Sequence, residues 1–197
     1  MKRRVVIAVA AIAVFAMLAG AFAACTDPYE NPVIPDEWGD VLIVYFSKTG
    51  TTEGIAEYIS ELMPEADVFE VERLEPYPDE YTPTTEVARD ELDANARPEL
   101  AEYLSDEQVA QYETILFGFP IWWHEAPMPM FTFLDRYDLT GKNLITFCTS
   151  ASSSISETTP MIIDNAHGAT VYEGERFSSR SDIDDVREWL TELGLVA

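Results

Sequence analysis

Val41-Leu-Ile-Val-Tyr-Phe46 is a continuous apolar, β-branched and aromatic run bounded by polar residues. A strand with one wet face would alternate apolar and polar side chains. A run without alternation needs cover on both faces, as strands have in a parallel sheet packed between helices. Thr114–Phe119, stopped by Pro120, and Asn143–Cys148 repeat the pattern, and Val68–Val71 and Ala169–Tyr172 read as shorter strands. Helical stretches lie between them. Thr52–Met63 sets Ile55, Ile59, Leu62 and Met63 on one stripe ended by Pro64. Thr85–Ala96 and Ser105–Tyr112 read as acidic, solvated helices, and Met128–Tyr137, Glu157–Asn165 and Ser181–Leu193 as further ones, the last capped by Gly194. Glu75–Thr84, with three prolines, reads as a loop. Strands alternating with helices predict a doubly wound α/β domain over residues 41–197.

The ends of the chain's charge distribution limit its partners. Twelve Lys and Arg stand against 36 Asp and Glu, a net charge of −24. Such a surface repels phosphate backbones and anionic membranes, which excludes nucleic acid as a partner. Two cysteines exclude a disulfide framework, and no zinc-type spacing occurs.

Residues 1–24 read as an export signal: Lys2, Arg3 and Arg4, then an apolar run to Phe22, then Ala23-Ala24-Cys25. The run is long enough to span a bilayer, so a retained helix is the alternative. The segment resembles the lipobox of bacterial lipoproteins, whose cysteine is acylated and becomes the first residue; Phe22 departs from the usual aliphatic residue. That resemblance implies a lipid on Cys25 and a domain outside the cytoplasm, anchored at the outer face of the cell membrane or periplasmic. Residues 25–40, with three prolines and several acids, read as an extended tether.

In an open sheet of this kind ligands sit beyond the carboxyl ends of the strands. After the first strand comes Ser47-Lys48-Thr49-Gly50-Thr51-Thr52. A helix start offers unpaired N–H groups, Gly50 permits close backbone approach, and the hydroxyls donate to phosphate oxygens. A hydroxyl-rich turn with a helix cap is the plainer alternative. Neither G-x-x-x-x-G-K-[ST] nor G-x-G-x-x-G is present. After the middle strand comes Pro120-Ile121-Trp122-Trp123-His124. Adjacent tryptophans cannot both point inward, so one is expected at an edge or against a flat heteroaromatic ring. His124 is a candidate proton donor or a hydrogen-bonded packing residue. After the next strand comes Thr149-Ser150-Ala151-Ser152, whose small residues leave backbone amides accessible; a serine linker is the alternative. Cys148 reads as a small core residue, and His167 as part of a helix-end turn. No catalytic residue and no metal ligand is assigned.

Taken in order, these loops resemble the flavodoxin-like family. Ser47–Thr52 resembles its phosphate loop, Gly118–Trp123 with Ala126-Pro127 its second flavin loop, and Asp138–Lys142 with Phe147–Ser150 its later strand and third loop. Tyr77–Tyr81 and Ala94–Pro98 match a subgroup of small bacterial members. The resemblance implies a five-stranded parallel sheet of order 2-1-3-4-5 binding one FMN. Ser47, Lys48, Thr49, Gly50, Thr51 and Thr52 would surround the phosphate. Pro120, Ile121, Trp122, Trp123 and His124 would border one side of the isoalloxazine, and Thr149, Ser150, Ala151 and Ser152 the other edge. The third loop departs from the subgroup's glycine-rich pattern, which bears on flavin geometry. Two functions follow as expectations: a one-electron carrier meeting a basic redox partner, or an FMN-dependent quinone or small-molecule reductase, with Tyr81 covering the flavin. A flavin-free binding lipoprotein is the third class.

Overall fold

The computed structural model describes residues 31–197. The export segment and Cys25 lie outside the described residues.

A parallel sheet runs in the order β2-β1-β3-β4-β5. Its strands are β1 (Val41–Tyr45), β2 (Asp67–Glu70), β3 (Thr114–Pro120), β4 (Asn143–Thr149) and β5 (Thr170–Phe177). The helices are α1 (Thr51–Leu62), α2 (Tyr81–Asp93), α3 (Asp106–Val109), α4 (Met128–Arg136), α5 (Thr159–Asn165) and α6 (Ile183–Glu192). A 3-10 turn, Ile155–Glu157, precedes α5.

The continuous apolar runs do what they predict. Leu42 and Val44 of β1, Ile115, Phe117 and Phe119 of β3, and Leu144 and Cys148 of β4 enter one core with Met130, Phe131, Phe133 and Leu134 of α4. Their neighbours Ile43, Tyr45, Leu116, Ile145 and Phe147 enter a second core with Ile55 and Ile59 of α1 and Val186, Trp189 and Leu190 of α6. Both faces of the three central strands, β1, β3 and β4, are dry because strand side chains alternate by two and a helix layer covers each side. Cys148 is fully buried, and burial pushes its thiol up to about 12, so it is a core residue rather than a reactive one.

Three elements differ from expectation by more than two residues. Helix α2 starts at Tyr81, not Thr85, because Pro83 falls in the first turn, where no helical N–H is needed. The segment 105–112 makes only one turn, α3, closed by a reciprocal cap between Ser105 and Gln108. Strand β5 runs five residues past Tyr172, and its extension Glu173-Gly-Glu-Arg176 is polar and at most half-buried because it forms the sheet's edge. A register shift between Ile145 and Phe147 marks where that pairing bends.

Residues 31–40 are extended and also anchored. Asn31 Nδ2 donates to the Glu173 carbonyl at 3.0 Å, and the Glu173 N–H donates to Asn31 Oδ1 at 2.7 Å. Trp38 is buried, meets Tyr172 edge-on at 5.1 Å and donates its indole N–H to the Leu193 carbonyl at 2.7 Å. Trp38→Ala is therefore expected to cost about 3 kcal/mol of stability, read as a lower urea midpoint. Ligand binding at the sheet's carboxyl edge should be unchanged, since Trp38 precedes β1 at the opposite end.

Candidate functional site

At the carboxyl edge three loops enclose a cleft of about 560 Å³. Ser47, Lys48, Thr49, Thr51 and Thr52 line it from the first loop, Pro120, Ile121 and Trp122 from the second, and Thr149, Ser150, Ala151, Ser152 and Ser153 from the third. Tyr81, Ser178 and Ser179 complete the lining.

The first loop hands directly into α1. Gly50 caps the helix with φ 83°, a conformation glycine enters without a side-chain clash, and its N–H donates to Ser47 Oγ at 3.1 Å. Among the described residues no side chain caps the N-terminus of α1, and its first residues Thr51 and Thr52 line the cleft, which puts the helix's positive dipole end beside it. Lys48 Nζ donates to the Tyr77 carbonyl at 3.4 Å and stands 3.9 Å from Asp79. The first and third loops are joined below the cleft, where the buried hydroxyls of Thr52 and Thr149 lie 2.8 Å apart.

The third loop is an ordered turn rather than a linker. Ser150 Oγ accepts from the N–H groups of Ser152 and Ser153 at 3.2 and 2.9 Å. The Ser150 N–H donates to the Phe177 carbonyl at 3.0 Å, which ties the loop to the end of β5 and brings Ser178 and Ser179 into the cleft.

The two tryptophans of the second loop diverge. Trp122 is half-buried, edge-on to Phe46 at 5.5 Å and to Tyr77 at 5.2 Å. Trp123 is 46% exposed and lies under the Arg89 guanidinium, 5.4 Å from its ring centre. The backbone compels this divergence. Trp122 and Glu125 exchange N–H···O bonds at 2.8 and 3.0 Å, and the two residues between them, Trp123 and His124, both have positive φ (52° and 70°). Such a two-residue turn normally holds Asn-Gly. Side chains in left-handed conformations cost of order 1–3 kcal/mol each and persist where surrounding structure holds them.

His124 does not line the cleft. Its Nδ1 lies 2.5 Å from Glu157 Oε2, and that pairing with the Ser154 N–H holds the Glu157 carboxyl below its usual range. Trp123 lines a neighbouring hollow of about 440 Å³ with Asp79, Thr84, Thr85 and Ala88, which shares Lys48, Thr49, Tyr81, Ile121 and Trp122 with the cleft. Beneath both, Tyr77 is fixed by a buried network. Its hydroxyl donates to Glu91 Oε2 at 2.5 Å, Arg73 Nη2 reaches Glu91 Oε1 at 3.0 Å, and the guanidinium sits over the Tyr77 ring at 4.4 Å. Burial and the Glu91 bond push the Tyr77 hydroxyl far above its ordinary pKa.

A flavodoxin family model matches residues 40–193, the span that carries the sheet, the helices and the cleft. The chain belongs to the flavodoxin family. A candidate flavoprotein from Bacteroides uniformis is 31% identical, with a TM-score of 0.69 over 79% of this chain and 99% of that one. A flavoprotein from Lactobacillus acidophilus, solved in complex with FMN, is 26% identical, with a TM-score of 0.62 over 77% of this flavodoxin and 98% of that chain. No curated protein matches the sequence.

Sequence reasoning expected Tyr81 over the flavin, ended the assigned third loop one residue before Ser153, and missed Ser178 and Ser179. The serines after β5 were findable by the same rule that found the other loops, had the true end of β5 been visible.

Proposed function

We propose that this flavodoxin binds FMN in the three-loop cleft and serves as a one-electron carrier, tethered outside the cytoplasm by a lipid on Cys25. The observation that carries the flavin reading is the cleft's mixed lining. The hydroxyls of Ser47, Thr49, Thr51 and Thr52, at the start of α1, share it with the apolar side chains of Ile121 and Trp122. That arrangement suits a molecule with an anionic head and a flat ring, and FMN in the Lactobacillus acidophilus relative supports the choice.

In this reading the N–H groups at the start of α1, with Ser47, Thr49, Thr51 and Thr52, hold the phosphate. They do so without a dedicated cation, since the nearby Lys48 also leans toward Asp79. Pro120, Ile121 and Trp122 shield one side of the ring from water, and Thr149, Ser150, Ala151 and Ser152 approach its other edge. Bound FMN supplies the redox chemistry. The chain contributes an acidic shell of net charge −24 and an apolar wall, both of which oppose added negative charge in the site. The same charge would steer a basic redox protein into a short-lived complex. The lipobox-like Ala23-Ala24-Cys25 supports the tether, and intact mass of the membrane fraction, with and without Cys25→Ser, tests it.

A second reading is favoured by the adjoining hollow, where Trp123 and the 83% exposed Tyr81 offer a shelf for a flat substrate: an FMN-dependent quinone or small-molecule reductase. Anaerobic reductive titration of the FMN-loaded protein separates the two. Two resolved one-electron stages are expected. A single two-electron stage with rapid quinone turnover would transfer the assignment to the reductase, and a protein that ignores FMN would end both.

A further inference from the structure

The turn between Trp122 and Glu125 reaches both walls of the site. Trp123 Nε1 donates to the Thr85 carbonyl on α2 at 3.0 Å. On the other side His124 grips Glu157, whose second oxygen accepts the N–H of Ser154 just past the third loop. The second and third loops are thus clasped to each other through one carboxylate. Glu125 sits inside this clasp. Its Oε2 is buried and has no hydrogen-bond partner among the described residues, an arrangement that costs a carboxylate far more than a neutral carboxyl. The charged groups that bear on it are His124 of its own turn and Glu157 of the 3-10 turn.

We propose that Glu125 is a positioning residue whose carboxyl must carry a proton for the second loop to seat against the third, so that the grip of the two loops on FMN is set by pH. The inference rests on the FMN reading above. Burial, reinforced by Glu157 and opposed by His124, raises the Glu125 pKa from 4.5 to about 7. A group whose pKa is raised by closure takes up a proton as the loops close. Closure is therefore fully favoured below pH 4.5, loses ground as the pH climbs toward about 7, and has a constant penalty above that. Glu125 does not line the cleft, so it acts on FMN only through the seating of the two loops, which makes it a control on the site rather than part of it.

FMN fluorescence quenching by the full-length apoprotein, titrated from about pH 5 to about pH 8 against a Glu125→Gln variant, tests this. The FMN phosphate titrates near pH 6 and acts on both proteins alike, so the ratio of their dissociation constants isolates Glu125. The wild-type protein is expected to lose about tenfold in affinity relative to E125Q across that window, with the change complete above neutrality. Parallel curves would sink the clasp and leave the flavin reading standing. Failure of both proteins to bind FMN at any pH would sink both. A readout independent of the variant is the carboxyl ¹³C titration of Glu125, expected near neutrality in the FMN-loaded protein and lower in the apoprotein. Equal midpoints would overturn the proposal.

Discussion

Trp122→Ala is expected to weaken FMN binding by roughly tenfold to a hundredfold, the value of one ring stacked on an aromatic side chain. It should also lower stability by about 2 kcal/mol, less than a fully buried tryptophan would, because Trp122 is only half-buried. The two effects have different origins and can be separated. Stability falls because Phe46 and Tyr77 lose their edge-on partner, and each such aromatic pair contributes about 1 kcal/mol beyond area burial. Affinity falls because the indole lines the cleft and offers the flat ring an aromatic wall. Trp122→Phe should recover most of the affinity and only part of the stability. Trp123→Ala provides the contrast: its ring lines the hollow, not the cleft, so FMN affinity should change by less than about threefold. Urea denaturation of the apoproteins and fluorescence titration with FMN give the two numbers. If Trp122→Ala and Trp123→Ala weaken FMN equally, the hollow and the cleft are one flavin site.

The strands legible in the sequence were those with two dry faces. β1, β3 and β4 carry apolar residues at successive positions because both helix layers press on them, and no other local structure explains such short, dense runs. The far half of β5 was illegible for the converse reason: an edge strand carries Glu173, Glu175 and Arg176 at little cost, and its composition is that of a loop. The start of α2 was hidden by prolines at positions 76, 78 and 83. Only the last of these is inside the helix, and it is harmless there.

For the site, the sequence showed which loops converge but not how they are joined. The divergence of Trp122 and Trp123 was readable from their adjacency. The turn that produces it was not, because Trp-His gives no sign of two consecutive left-handed residues. His124 stood out by residue type, yet its partner Glu157 is 33 positions away, and the Thr52–Thr149 contact spans 97. Glu125 had no sequence signal at all. Its character comes from burial, which a lone acidic residue between His and Ala does not advertise.

Gly118→Ala should be among the most damaging single-methyl additions in the domain. Gly118 lies in the middle of β3, and a Cβ there would stand 2.0 Å from Cζ of the fully buried Phe147 ring on neighbouring β4. The ring cannot move away freely, since Trp189 of α6 lies against it with ring centres 6.0 Å apart. Overpacking of this kind costs about 3 kcal/mol, by displacing either the ring or the strand. Phe147→Ala alone should cost about 4 kcal/mol, because it leaves a cavity between the sheet and α6. Together the two changes should cost less than their sum by at least 1 kcal/mol, since the added methyl enters space the missing ring vacates. Strictly additive losses in a urea double-mutant cycle would show that strand β3 itself, rather than the ring, is what the methyl disturbs. That outcome predicts a further, separately measurable loss. β3 ends in Pro120 at the flavin cleft, so a displaced β3 would weaken FMN binding in Gly118→Ala, whereas a displaced ring would not.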